Sequence, residues 1–546
     1  MAASGCTLLP GTGTQGSRDA MSRSGSATAA EAATDRVTAA DPVSIASARP
    51  LAAAVTPGEL AAPLAGTELP RITLPRTDLV ARIRAGFSLP AVDDPDVAQE
   101  LAFYASHPDY IARVFERGSR YLHHISAVLE ERGMPSDLAL LPIVESAFDP
   151  FAYSRGRASG LWQIIPGTGR RLGLKQNWWY DGRRDIVDST RAALDYLELL
   201  HDQFDGDWLL AVAGYNSGEG NVARAIRRAE ADGRPTDFWS IRGDLPAETR
   251  AYVPRLLAIR DLVAAAEDHE IELPLIDDAP YFDIVETEGQ IDVALAAELA
   301  ALDVDTVYAL NPGINRWATD PDGPHRLLVP AEAAPVRTDA LASLDMTERV
   351  RWTCHQIGRG ETLSQIAVKY ETTPDVLRQI NGISGNLIRA GDHLMIPHAS
   401  AASGTYSLSL DARVARTQER ERDGQRVDYR VEPGDSLWSI SRRFGVGTAE
   451  LASWNAMAPG DVLSVGRTLV IWTDDPVAAA AAAPAGPAQI RQVNYVVRSG
   501  DSLARIAGRF RVSVAELVEW NALSVDKYLQ PGQSLVLYVD VTEQST

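Results

Sequence analysis

Cysteine is nearly absent: the 546 residues contain two, Cys6 and Cys354. They could form one disulfide, but they lie far apart in the chain, and a disulfide-stapled scaffold is excluded. No Cys/His group has the spacing of a zinc site, so neither a metal nor another cofactor is expected. No apolar run reaches the eighteen or so residues needed to cross a bilayer. Positive charge is scarce, with 52 Lys and Arg against 73 Asp and Glu and a net charge of −21. Nucleic-acid binders need basic faces, so that class is excluded. A neutral polymer bound by stacking and hydrogen bonds stays open.

What is present is ordered along the chain. The length predicts three or more domains. Residues 1–92 are rich in Ala, Gly, Ser, Thr and Pro and poor in aromatics. Such a segment cannot bury a core and is expected to be a disordered spacer. From Asp93 apolar residues recur at helical spacing: Val97, Leu101, Tyr104, Tyr110, Val114, Phe115, Tyr121. Two helices broken near His107-Pro108 are predicted, then one over 123–132 closed by Gly133. Ser136-Asp137 should cap the next helix, with a kink at Pro142. Further helices are predicted over 188–203, 207–230 (interrupted at Gly214–Gly220) and 247–266, with no strand between 93 and 270. Residues 281–330 spell strand, helix, helix, strand. Three units of about 45 residues then repeat that pattern. Their signatures are Gly360-Glu-Thr-Leu363, Gly434-Asp-Ser-Leu437 and Gly500-Asp-Ser-Leu503, followed by Asn381, Asn455 and Asn521. Segments 399–426 and 474–490 are expected to be mobile linkers.

One carboxylate stands out. Glu145 lies in Leu140-Leu-Pro-Ile-Val-Glu-Ser-Ala-Phe148, where poor solvation should raise its pKa and suit it to general acid work. Asp149 follows closely, and Asp181, Asp185 and Asp188 sit in a polar connection; none has a comparable setting. Downstream come Ser159-Gly-Leu-Trp-Gln-Ile-Ile165, Ala213-Gly-Tyr-Asn-Ser-Gly218 and Glu248-Thr-Arg-Ala-Tyr-Val253. In this order and at these intervals the four motifs resemble family 1 lytic transglycosylases, specifically the membrane-bound type D branch. Gly214 stands where that family usually has Ala.

The resemblance implies an α+β multidomain chain. A mainly α, lysozyme-like catalytic domain (93–270) precedes small βααβ LysM domains: a divergent LysM-like unit (281–330), then 352–398, 428–472 and 494–540. It implies cleavage of the MurNAc-GlcNAc bond of peptidoglycan with a 1,6-anhydro product, without a cofactor, by a protein acting as a monomer. Glu145 would be the catalytic acid and then base. Ser146 would hydrogen-bond near it or the sugar, and Gln163, Tyr215 and Asn216 would contact substrate. The Tyr252 hydroxyl would orient Glu145, while Trp162 belongs to the core. In the repeats Gly360, Thr362, Gly434, Asp435, Ser436, Gly500, Asp501 and Ser502 would edge a sugar groove; Trp454 and Trp520 read as core. Ala3-Ser4-Gly5-Cys6 is similar to the end of a bacterial lipoprotein signal, so Cys6 is a candidate for lipidation, in a periplasmic protein held at the outer membrane. The alternatives are a free Cys in a tail, a hydrolytic muramidase on the same fold, which needs a second positioned carboxylate, and a non-catalytic wall-binding protein.

Overall fold

The structure is a computed structural model. It describes residues 78–546 except 334–347, 371, 475–489, 499–500, 511, 513–516, 519, 522, 524–528, 531 and 541–546. Cys6, Gly500 and most of the 1–92 and 474–490 segments therefore lie outside the described residues.

The first region is helical: α1 Leu79–Ala85, α2 Pro95–Ala105, α3 Pro108–Glu131, α4 Leu141–Ser146, α5 Pro166–Arg171, α6 Ile186–Gln203, α7 Trp208–Ser217, α8 Glu219–Ala231, α9 Phe238–Ile241 and α10 Ala247–Ala264. The break at His107 occurs as predicted, because Pro108 can start a helix but not continue one. The separate helix over 123–132 does not form. Ile111, Val114, Phe115, Gly118, Leu122, Ile125 and Leu129 hold one buried stripe, so α3 runs unbroken past His123-His124. Helix α7 is apolar on every side and buried in the middle, and α10 packs Tyr252, Val253, Leu256, Leu257, Ile259, Leu262 and Val263 into the same core.

Residues 79–92, expected to belong to the spacer, join this domain. Leu79, Val80, Ile83 and Leu89 are buried in its core. Ser136 and Asp137 do not cap the Glu145 helix. The Ser136 hydroxyl donates to Ile83 O (2.6 Å), and the Asp137 carboxylate accepts from Ser88 N (2.8 Å) and Leu89 N (3.3 Å). They tie the N-terminal segment down instead. Its four buried apolar residues are too few to announce a core without the surface they meet.

Next come β1 Phe282–Glu286, α11 Val293–Leu299, α12 Val304–Leu310 and β2 Arg326–Pro330, with β1 and β2 antiparallel. The first two repeats follow with the same order, and the third is described by its two strands and a helix over Leu503–Phe510; the pairs are β3 Arg351–Gln356 with β4 His393–His398, β5 Gln425–Arg430 with β6 Thr468–Thr473, and β7 Ile490–Val496 with β8 Ser534–Asp540. One asparagine recurs in all four units. Asn311, Asn381, Asn455 and Asn521 each donate through Nδ2 to a carbonyl four residues back and to the second strand, at Leu328, Met395, Val470 and Val536. Each accepts that same residue's N–H through Oδ1.

A second lock sits in the strand-to-helix turn. Asp435 accepts from Glu432 N (2.8 Å) and Tyr429 OH (2.6 Å); Asp501 accepts from Arg498 N (2.8 Å) and Tyr495 OH (2.6 Å). In the first repeat the tyrosine is replaced by His355, whose ring reaches less far. Glu361, one methylene longer than Asp, closes the gap to His355 Nε2 (3.0 Å) and Gly358 N (2.7 Å). Thr362 and Ser436 accept from the third residue of their helices, with Gln365 and Ser439 reciprocating, and Ser502 accepts from Arg505 N. The polar side chains expected to meet sugar are thus turned onto their own turns and helix ends, where free N–H groups need partners.

Segment 399–426, expected to be mobile, is a docked strap. Tyr406 is buried in the core of the 281–330 unit and donates to Asp292 (2.9 and 3.0 Å). Residues Leu410–Glu419 then form a helix. The first repeat is held too, because Val376 and Ile380 pack on Trp178, Trp179, Tyr180 and Trp317.

Candidate active site

The chain enters the site through a 3-10 turn, Ser136–Leu140, that passes directly into α4. Pro142 stands in the first turn of α4, where its missing N–H costs nothing, so no kink arises. The helix stops after Ser146 because Ala147 (φ 50°) and Phe148 (φ 56°) both turn left-handed. That conformation costs roughly 1–2 kcal/mol for an L-residue, and the burial of Phe148 offsets it. Its ring lies against Gly118 of α3, where an added Cβ would sit 2.8 Å from the ring. The outcome is Glu145 in the last turn of a short helix, half-buried on the wall of a cleft of about 620 Å³.

Burial raises the Glu145 carboxyl to about 7; the Tyr252 hydroxyl, which donates to Oε1, pulls it down, and the charge of Glu248 pushes it up. Tyr252 is buried on α10, with its own ionisation pushed far up by the same environment. Glu248, Tyr252 and Arg255 lie four and three residues apart, so α10 turns all three toward the cleft. Only Tyr252 was singled out from sequence, although that spacing carried the signal for the other two.

Opposite Glu145 is the loop Ser159–Ile164. Gly160 (φ 82°) lets it turn against the backbone of Arg183. Trp162 is fully buried and donates to Thr190 Oγ1 (3.0 Å), as expected of a core residue. Two hydroxyls staple the loop: Tyr215 donates to Trp162 O (2.8 Å) and Ser146 to Leu161 O (2.9 Å). Gln163 lines the cleft with Nε2 donating to Gly160 O (2.9 Å), and Asn216 lines it while accepting from Thr249 Oγ1 (2.7 Å). Glu145, Gln163, Tyr215, Asn216 and Tyr252 therefore meet in one cleft. Ser146 does not join them. Its hydroxyl serves Leu161 O and Pro142 O, because it sits on the side of α4 facing the loop rather than the cavity.

The aspartates weighed from the sequence, and Glu219, are held in local pairs and caps. Asp181 pairs with Arg183 (2.7 Å), and Asp185 caps α6 and shares Arg326 with Asp188. Asp149 accepts from Phe151 N (2.9 Å). Glu219, hydrogen-bonded by Tyr196 and Arg171, is held down to about 2 and stays ionised.

A helical cleft with a raised carboxyl locked to a tyrosine has what acid-assisted bond cleavage needs, and its likeness to known proteins puts it in the class of lysozyme-like, glycan-cleaving lytic transglycosylases. Residues 124–237 match the family description "Transglycosylase SLT domain", 281–346 match "Lytic transglycosylase MltD, LysM-like domain", and 355–397, 429–472 and 495–537 match "LysM domain". The chain is 35% identical over 405 residues to the membrane-bound lytic murein transglycosylase D of Escherichia coli K12, covering 72% of this chain and 86% of that protein. It belongs to the membrane-bound lytic murein transglycosylase D family. Among solved structures, an inactive variant of the lytic transglycosylase Slt from Pseudomonas aeruginosa is 27% identical, with 28% of this chain and 25% of that one covered and a TM-score of 0.22. The 70 kDa soluble lytic transglycosylase of Escherichia coli is 21% identical, with 32% and 30% covered and a TM-score of 0.22.

Proposed function

We propose that Glu145 is the single acid and base of this peptidoglycan lytic transglycosylase. In its neutral form it gives a proton to the oxygen of the MurNAc-GlcNAc bond as that bond breaks. The substrate's N-acetyl group steadies the anomeric carbon. Glu145, now a carboxylate, takes the proton of the MurNAc C6 hydroxyl, whose oxygen closes on C1. Proton and electron pair are balanced without water, and the product carries a 1,6-anhydro end. Tyr252 positions the carboxyl, and Gln163, Tyr215 and Asn216 bind the sugars. The observation that carries this reading is a carboxyl raised to about 7 and hydrogen-bonded by a buried tyrosine. Hydrolysis is the second reading, because Glu248 places another carboxylate in the cleft. Mass spectrometry of products from purified sacculi decides: anhydro ends support transglycosylation, and reducing ends overturn it. The LysM units recognise N-acetylglucosamine-containing strands. The protein works as a monomer in the periplasm, anchored at the outer membrane through a lipid on Cys6; labelling with a radioactive fatty acid, lost in Cys6→Ser, tests the anchor.

The pH dependence follows from the same hydrogen bond. Activity requires neutral Glu145 and should fall as pH rises past about 7. The Tyr252 hydroxyl favours the charged form, so Tyr252→Phe should move this alkaline limb to higher pH while kcat drops on the order of tenfold from lost orientation. A kcat/KM profile with an unmoved or lowered limb would contradict the assignment.

A further inference from the structure

The second repeat touches the rim of the catalytic cleft. Ser154, Arg155, Gly156 and Ala158 line that cleft. From the same loop, Arg157 Nε meets Asp461 Oδ1 at 2.7 Å, and the Tyr153 hydroxyl donates to both Asp461 oxygens at 3.1 Å. Asp461 belongs to the loop that precedes β6, and it braces that loop by accepting from Ala458 N (2.8 Å). The contact is not alone. The strap helix Leu410–Glu419 starts with Leu410 N donating to Asn315 O (2.8 Å) and an ion pair between Asp411 and Arg316. Arg413 lies 4.5 Å from the ring of Phe151, at the root of the rim loop. At the far end Gln418 Nε2 donates to Asn455 Oδ1 (2.8 Å) and Thr468 O (3.3 Å) inside the second repeat. The rim loop is thus gripped from above by the repeat and from beside by the strap.

The turn 434–436 of this repeat is expected to edge a sugar groove, and the loop carrying Asp461 leads into β6. Beside them the repeat leaves apolar side chains in solvent: Trp438 is 65% exposed, Val462 85% and Val465 64%. The Arg442 guanidinium lies 5.8 Å from the centroid of the Trp438 ring, and the exposed ring offers a flat face on which a sugar can stack. In the other repeats Trp438 is replaced by Ser364 and Ala504, so the ring occurs in the unit that meets the cleft rim.

We propose that the second repeat is a fixed extension of the catalytic cleft, so that one glycan strand lies across Trp438 and Val462, passes the Arg157–Asp461 seam and enters at Glu145. The inference rests on the transglycosylase reading and adds a remote subsite to it. Binding energy gained there belongs to long strands alone. A short fragment fills the cleft without reaching the repeat, so the seam should govern KM for long strands and leave short ones untouched.

The test uses the full chain with two substrates, long peptide-free glycan strands and a tetrasaccharide. Asp461→Arg and Arg157→Glu, which break the seam from opposite sides, should each raise KM for long strands about tenfold, the loss expected when a fixed second site becomes a loosely tethered one. Tetrasaccharide turnover should stay unchanged in both. The exchanged pair Arg157→Asp with Asp461→Arg should recover most of the long-strand KM, which a misfolded repeat would not. Trp438→Ala should raise the same KM. Unchanged long-strand KM in all three single variants overturns the proposal. Faster long-strand cleavage in the seam variants also overturns it, since the repeat would then be shielding the cleft. If the unaltered chain gives no anhydro products, the underlying reading fails instead.

Discussion

Glu145→Gln should leave the fold intact and stop sacculus digestion, with kcat lowered roughly 10²- to 10⁴-fold, the contribution of a positioned acid. The amide keeps the shape of the side chain and can still meet Tyr252, but it has no proton to give and none to take back. On the proposed mechanism both halves of the reaction use this one group, so no second residue should share the loss. Circular dichroism should be unchanged, and strands should still bind because Gln163, Tyr215 and Asn216 remain in place. Turnover above about a hundredth of the parent would move the acid elsewhere.

Gly160→Ala should be the most damaging conservative change in the catalytic domain. A Cβ at this position would lie 2.3 Å from Arg183 O and 3.0 Å from Arg184 Cα, and the backbone there has φ 82°. The left-handed conformation costs an L-residue roughly 1–2 kcal/mol, and the backbone clash adds about 1–3 kcal/mol. Main-chain atoms cannot rotate away as a flexible side chain would. The loop must therefore lift, carrying Trp162 out of the core and withdrawing the carbonyls that Ser146 and Tyr215 bind. A urea titration followed by tryptophan fluorescence should show an earlier first transition, with cleavage lost in parallel. An unshifted transition would mean that the loop is not held as described.

Most of the site could be named from sequence because its parts are local motifs whose chemistry is unusual. A Glu among apolar neighbours, a Gly-Leu-Trp-Gln turn and a Tyr at the end of Glu-Thr-Arg-Ala-Tyr each advertise themselves. Ser146 misled because a hydroxyl beside an acid looks functional, while the side of a six-residue helix that it occupies is set by tertiary packing. Glu248 and Arg255 were legible in principle from their stride with Tyr252. The helices α2, α6, α7, α8 and α10 followed from apolar spacing; the break expected before residue 123 did not, because α3 keeps one buried stripe across it. The segments 79–92 and 399–426 did not, since each is held by a few long-range partners, such as Asp137 for the first and Asp292 for the second. Composition marked both as loose, and nothing local contradicts it. Trp454, read as core, does pack against its repeat's own core, while Trp438 drew no attention because one aromatic in a helix carries no sign of which side it faces.

The asparagine shared by the four βααβ units also bears on how such a chain survives at high concentration. A two-stranded sheet has two open sides, and each is an invitation to pair with another molecule. In all four units the amide fills both the donor and the acceptor of one residue on the outer side of the second strand. A foreign strand arriving there would find its central pair of sites already taken. The same side chain that closes each small fold thus also guards one of its two edges, and leaves the first strand as the side on which a neighbour could pair.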